Sequence, residues 1–113
     1  MNNLGVHAEK IAENYLINQG LSLIKQNYSC KYGEIDLIMR DGNTTVFIEV
    51  RLRSNSAFGG AGSSITKSKQ SKLSRTAEHY LQQHGNDACR FDAVLMNKAD
   101  AANIEWIKNA FDS

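Results

Sequence analysis

Gly33-Glu34-Ile35-Asp36-Leu37-Ile38-Met39-Arg40-Asp41-Gly42-Asn43-Thr44-Thr45-Val46-Phe47-Ile48-Glu49-Val50-Arg51-Leu52-Arg53 is the stretch whose reading decides how this chain folds. Both halves are apolar and β-branched, and Asp41-Gly42 between them tolerates the positive φ of a tight turn, so the stretch predicts a β-hairpin. In the second strand, period-two alternation sends Val46, Ile48, Val50 and Leu52 to one face and Thr45, Phe47, Glu49, Arg51 and Arg53 to the other. The first set is expected to be core and the second to carry charge. With an even loop, Arg40 pairs with Asn43 or Thr45, and Asp36 then faces Phe47 or Glu49 on one sheet face; an odd loop separates them. Two carboxylates side by side repel unless something positive lies between them, most simply a divalent cation such as Mg²⁺. Arg51 points into the same space.

Asp36, twelve intervening residues and then Glu49-Val50-Arg51 resemble the D…(D/E)-x-K pattern of restriction-endonuclease-like nucleases. A wider set of residues resembles the bacterial YraN-like family. It comprises Gly5 to Leu16 with Glu9, Asn27-Tyr28, Gly33 to Ile38, Asp41-Gly42, Val46 to Arg51, Phe58-Gly59-Gly60, Lys69-Gln70 and Cys89-Arg90-Phe91-Asp92. The resemblance covers nearly the whole chain and implies a nuclease fold related to Holliday-junction resolvases. A demonstrated substrate does not come with it; the expected partner is nucleic acid, DNA ahead of RNA, branched or single-stranded, and a homodimer is admitted, because a junction needs two symmetric cuts. No self-complementary surface can be read from the chain. Arg51 stands where that superfamily usually carries lysine.

At 113 residues the chain forms a single domain, 1–113, with one core. A hydrophobic content of 42% and a net charge of +1 describe an ordinary globular protein and exclude a disordered tail. No apolar run approaches the ~20 residues of a membrane span, and the N-terminus lacks a signal-peptide pattern, so a cytoplasmic location without membrane association is expected. Cys30 and Cys89 lack C-x-x-C spacing and read as two free, buried thiols.

Residues 3–19 predict a helix with Leu4, Ala8, Ile11, Ala12, Tyr15 and Leu16 on one stripe and Gly20 as its stop. Glu9 lies at the stripe's edge between Gly5 and Ala12. It reads either as a solvated edge glutamate or as a carboxylate looking past small residues into the domain; the family resemblance implies the latter, a third acidic site residue. Residues 21–28 predict a first strand, which with the hairpin makes a three-stranded antiparallel meander covered by the helix.

From Val50 to Ala77 the chain carries Arg51, Arg53, Lys67, Lys69, Lys72 and Arg75 with no acidic residue. Such a local positive field suits a polyphosphate backbone, against the plainer reading of a solvated helix face. Residues 54–64, rich in Gly and Ser, match neither nucleotide-binding glycine pattern and read as a flexible flap over a polymer. Residues 66–83 predict a second helix striped by Leu73, Ala77, Tyr80 and Leu81. Projected backwards, the stripe carries Thr66, Lys69 and Gln70, so Lys69 and Gln70 could offer a phosphate donors at the helix N-terminus; alternatively Lys69 snorkels to solvent and Gln70 caps a strand end. His79 and His84 read as surface histidines.

Residues 90–96 predict a largely apolar central strand in which Asp92 is structural, and residues 103–107 a short final strand. The expected architecture is therefore α/β: a restriction-endonuclease-like mixed sheet containing the meander and flanked by helices. The expected mechanism is metal-assisted phosphodiester hydrolysis, with Asp36 and Glu49 binding Mg²⁺ or Mn²⁺ and Glu9 contributing through water. Arg51 stays charged and would clamp the phosphate. The rival is a non-catalytic nucleic-acid-binding module on the same fold.

Overall fold

The hairpin forms with an even register. In the computed structural model, which describes residues 3–53, 65–85, 88–97 and 103–111, strands β2 (Gly33–Asp41) and β3 (Thr44–Arg53) pair antiparallel from Asp41 opposite Thr44 to Leu37 opposite Ile48. The turn is Gly42-Asn43, one residue later than Asp41-Gly42, with Gly42 supplying the left-handed φ of 62°. Strand β1 (Ser22–Cys30) completes the meander by pairing with β2. Helix α1 (Asn3–Asn18) precedes it and ends where Gly20, at φ 106°, turns the chain back. There the Leu21 N–H donates to the Leu16 carbonyl at 3.1 Å.

Helix α2 (Lys67–His84) then carries the chain across the sheet to β4 (Cys89–Asn97), which lies parallel to β3 along its length. Strand β5 (Ile104–Phe111) pairs antiparallel with β4 and runs four residues beyond the expected short strand. The five strands form one mixed sheet ordered β1-β2-β3-β4-β5.

Each helix covers one face. Ala8, Ala12 and Leu16 of α1 pack on Leu37, Met39, Val46, Ile48, Val94 and Met96. Leu73, Ala77 and Tyr80 of α2 pack on Tyr28, Ile35, Ile38, Phe47, Phe91 and Leu95. The expectation that the second face of β3 would carry charge therefore holds only at its far end. Thr45 and Phe47 on that face are buried, because α2, returning between two parallel strands, must lie over the sheet. Phe47 is the keystone of this layer, with its ring centroid 6.0 Å from that of Tyr80 and 5.4 Å from that of Phe91. Truncating it to Ala would cost about 3–5 kcal/mol.

Asp92 is structural, as expected. Its buried carboxylate accepts from Arg90 Nε at 3.1 Å, Trp106 Nε1 at 3.0 Å and the Asn109 N–H at 3.0 Å. Asn109, at φ 53°, sits where the β4–β5 register shifts, so Asp92 fastens an irregular edge strand to the sheet. Two expectations are corrected. Cys89 is exposed, being the first residue of β4, and Cys30 is half-buried at the end of β1. His79 is half-buried and its Nδ1 lies 2.6 Å from the Tyr28 hydroxyl, so of the two histidines only His84 is exposed.

Candidate functional site

Asp36 and Glu49 come together where β2 and β3 part. The β2–β3 ladder reaches only Leu37 opposite Ile48, while β3 continues against β4 to Arg53. Beyond that last pair, the Val50 N–H donates to Asp36 Oδ2 at 2.8 Å, so a side chain takes the place of a ladder carbonyl. On the other side of β2, the β1 ladder runs to Gln26 opposite Leu37 and resumes at Tyr28 opposite Ile35, with Asn27 between them at φ 51°. Alternation breaks at the same place, since Ile35 joins Ile38 in the core under α2 while Leu37 and Met39 face α1. The kink aims Asp36 into the opening between strands instead of flat against one face.

Three carboxyl groups converge there. Asp36 and Glu49 lie within hydrogen-bonding reach of each other, and Glu9, from α1, lies within reach of both Asp36 and Asn27. Glu9 thus looks inward past Ala12. Burial, reinforced by the charges of Glu49 and then Glu9, pushes the Asp36 carboxyl up to about 8, against the opposing pull of the Val50 N–H. Burial, followed by the charge of Glu34, also raises Glu9. The acidic pair therefore holds a proton at neutral pH that an isolated pair would have lost.

Glu49 is buried and faces two cations, Lys69 Nζ at 3.3 Å and Arg51 Nη1 at 3.6 Å from its Oε2. Lys69 reaches it from the first turn of α2, whose start is fixed by Thr66: its Oγ1 accepts from the Lys69 N–H at 3.1 Å. Gln70 spends its Nε2 on the Ile65 carbonyl at 2.9 Å, so it secures the helix entry. Lys67, Lys72 and Arg75 are exposed along α2. The side chain of Arg53 and the whole of residues 54–64, including the expected flap, lie outside the described residues.

Two contacts are not foreseen from the sequence. Lys69, a candidate phosphate donor, is the nearer counter-ion of Glu49 in the free protein, a contact that only the return of α2 creates. Asn27 orients Glu9; its signal was available, because asparagine tolerates the left-handed conformation that a mid-strand break needs.

The donor set is all oxygen, which suits Mg²⁺ or Mn²⁺ over softer metals. Among the described residues, no group of three or more His, Cys, Asp or Glu side chains forms a ready-made cage. The site would supply one or two direct carboxylate ligands and leave the remaining positions to water and phosphate, the usual way of holding Mg²⁺. A recess of about 930 Å³ lies elsewhere, between α2 and the start of β4, and is lined by Ser74, Arg75, Glu78, Leu81, Cys89 and Phe91. It contains no member of the carboxylate group, so the chemistry is assigned to the strand opening.

The profile of the uncharacterised protein family UPF0102 matches residues 8–96. A UPF0102 protein of Methylobacillus flagellatus is 57% identical over 113 residues, covering 100% of both chains. Another, from Nitrosomonas europaea, is 56% identical over 111 residues, 97% of this chain and 94% of the relative. A third, from Nitrosospira multiformis, is 56% identical over 109 residues, 96% of this chain and 92% of the relative.

Proposed function

The chain belongs to the UPF0102 family, and from the carboxylate geometry we propose that it is a metal-dependent nuclease that hydrolyses nucleic-acid phosphodiester bonds. The observation that carries this is the meeting of Asp36, Glu49 and Glu9 at the parting of β2 and β3, where burial, and after it the charges of Glu49 and Glu9, raise the Asp36 carboxyl. Asp36 and Glu49 would hold Mg²⁺ or Mn²⁺, with Glu9 acting through water. When bound, the metal lowers the pKa of an attacking water. Arg51 and Lys69, which neutralise Glu49 in the free protein, stand beside the position a phosphate would take and can pass to it as negative charge builds. The guanidinium of Arg51 cannot accept a proton, so its part is to orient and stabilise.

A second reading has its own support. Glu49 is already charge-paired and no complete cage stands among the described residues, as expected of a non-catalytic nucleic-acid-binding module. A cleavage screen with labelled junction, flap, single-stranded DNA and RNA in Mg²⁺ and Mn²⁺ separates the two. The nuclease cuts at least one, and Asp36→Ala and Glu49→Ala abolish the cut. Equal cutting by wild type and Glu49→Ala overturns the site assignment, and binding without cutting or metal uptake leaves the module.

A further inference from the structure

The turn between β1 and β2 presents an aromatic ring to solvent beside the basic helix. Among the described residues, the exposed large apolar side chains are Ile17, Ile24 and Tyr32, and Tyr32 is the only aromatic one, 37% exposed. Its ring is held in place. His79 meets it edge-on, with centroids 6.4 Å apart and planes at 67°. His79 is fixed in turn by the Tyr28 hydroxyl, 2.6 Å from its Nδ1, and Tyr28 packs edge-on against Tyr80 in the core at 5.3 Å. An exposed ring thus stands at the end of a chain of contacts rooted in the protein interior.

Lys31 Nζ lies over the Tyr32 ring, 5.2 Å from its centroid. The turn is pressed against α2, since a Cβ built on Gly33 would lie 3.3 Å from Thr76 Oγ1 and 3.8 Å from the Lys72 Cβ. Lys72 is exposed, and Lys72 and His79, two helical turns apart, lie on one side of α2. Asp36 follows Tyr32 by four strand positions, ~13 Å along the backbone.

A pre-oriented aromatic face flanked by lysines is what sequence-tolerant single-strand binders offer to a base. A base inside a duplex has no free π-face to give. We propose that Tyr32 is a stacking platform for an unpaired nucleobase, with Lys31 and Lys72 taking the adjoining phosphates. The substrate is therefore single-stranded, or locally unpaired, on the Tyr32 side of the carboxylates. This rests on the nucleic-acid reading above and goes further by assigning the strand's state.

The test is fluorescence anisotropy in chelator with three labelled probes of equal length: an oligothymidylate, an abasic oligomer and a duplex. Tyr32→Ala should weaken oligothymidylate binding by roughly tenfold while leaving the abasic oligomer and the duplex unchanged. Tyr32→Trp should restore or tighten it, and the salt slope should stay as in wild type because no phosphate contact is lost. An equal loss on all three probes, no loss on any, or no oligothymidylate binding by wild type overturns the platform. Calorimetric titration of Mn²⁺ into wild type and Asp36→Ala reads the metal site without nucleic acid. A wild type that takes up Mn²⁺ and cuts only intact duplex would refute the platform while leaving the nuclease standing.

Discussion

Asp36 keeps a proton through the pH range in which an isolated aspartate has lost it, and this has a sign that can be checked. Its carboxyl is raised from 3.8 to about 8, so the stability linked to it is complete below the ordinary value and is lost as pH rises towards about 8. The metal-free melting temperature should fall across that window, and Asp36→Asn, which keeps an acceptor for the Val50 N–H, should flatten the fall. Above it the variant should gain on the order of 1 kcal/mol, about 4 °C. Scanning fluorimetry in chelator decides it; a variant less stable than wild type at high pH would mean that the charge is holding structure together. Because Mn²⁺ must displace the same proton, its affinity should climb with pH by up to about tenfold per unit until the carboxyl is ionised. Asp92 is the contrasting acid, since every one of its contacts is a donor. Asp92→Ala would leave Arg90 with Asp41 as its remaining carboxylate partner and strand the Trp106 and Asn109 donors at a cost of about 2–4 kcal/mol, seen as a lowered urea midpoint.

Among the elements, the β2–β3 hairpin was legible because turn chemistry and alternation are local, and its register, ending with Leu37 opposite Ile48, sets Asp36 and Glu49 just beyond the last pair. The helices were legible from their stripes and from Thr66 and Gly20 at their ends. What the sequence withheld was tertiary. The opening between β2 and β3 depends on Asn27 adopting φ 51° in the neighbouring strand, and the Lys69–Glu49 pair exists only because α2 returns over the sheet. Strand β5 runs past the expected residue 107 because the Asp92 carboxylate absorbs the irregularity at Asn109 and lets pairing continue to Phe111. Asn27 can be tested as a backbone device and as a side chain separately. Asn27→Ala should destabilise by ~1 kcal/mol, because alanine lacks the local side-chain hydrogen bonding that lets asparagine occupy the left-handed region, whereas Asn27→Gly should keep the fold. Both should weaken Mn²⁺ binding, because either loses the bond that orients Glu9. Unchanged Mn²⁺ affinity in Asn27→Gly would remove Glu9's positioning from the site.

Across the whole molecule, charge is divided: the carboxylates lie within the strand opening, while Lys67, Lys72 and Arg75 project from α2 into solvent. If these three contact phosphates, each Ala variant should weaken nucleic-acid binding whatever the base sequence and make the salt slope shallower by roughly one unit. An unchanged slope would reduce them to ordinary surface charge. The join between β3 and β4 has a consequence in time. The meander is built from neighbours in sequence, but the parallel ladder from Thr45 opposite Cys89 to Arg53 opposite Asn97 must wait for the intervening chain to be gathered in. Val94→Ala should therefore act chiefly on the unfolding rate and Met39→Ala on the folding rate. Glu9, Asp36 and Glu49 all belong to the early part, so they meet while water still reaches them and their repulsion is weakest. The penalty of crowding them falls after the rate-limiting barrier, and Asp36→Asn should slow unfolding in stopped-flow experiments while leaving the refolding rate as it was.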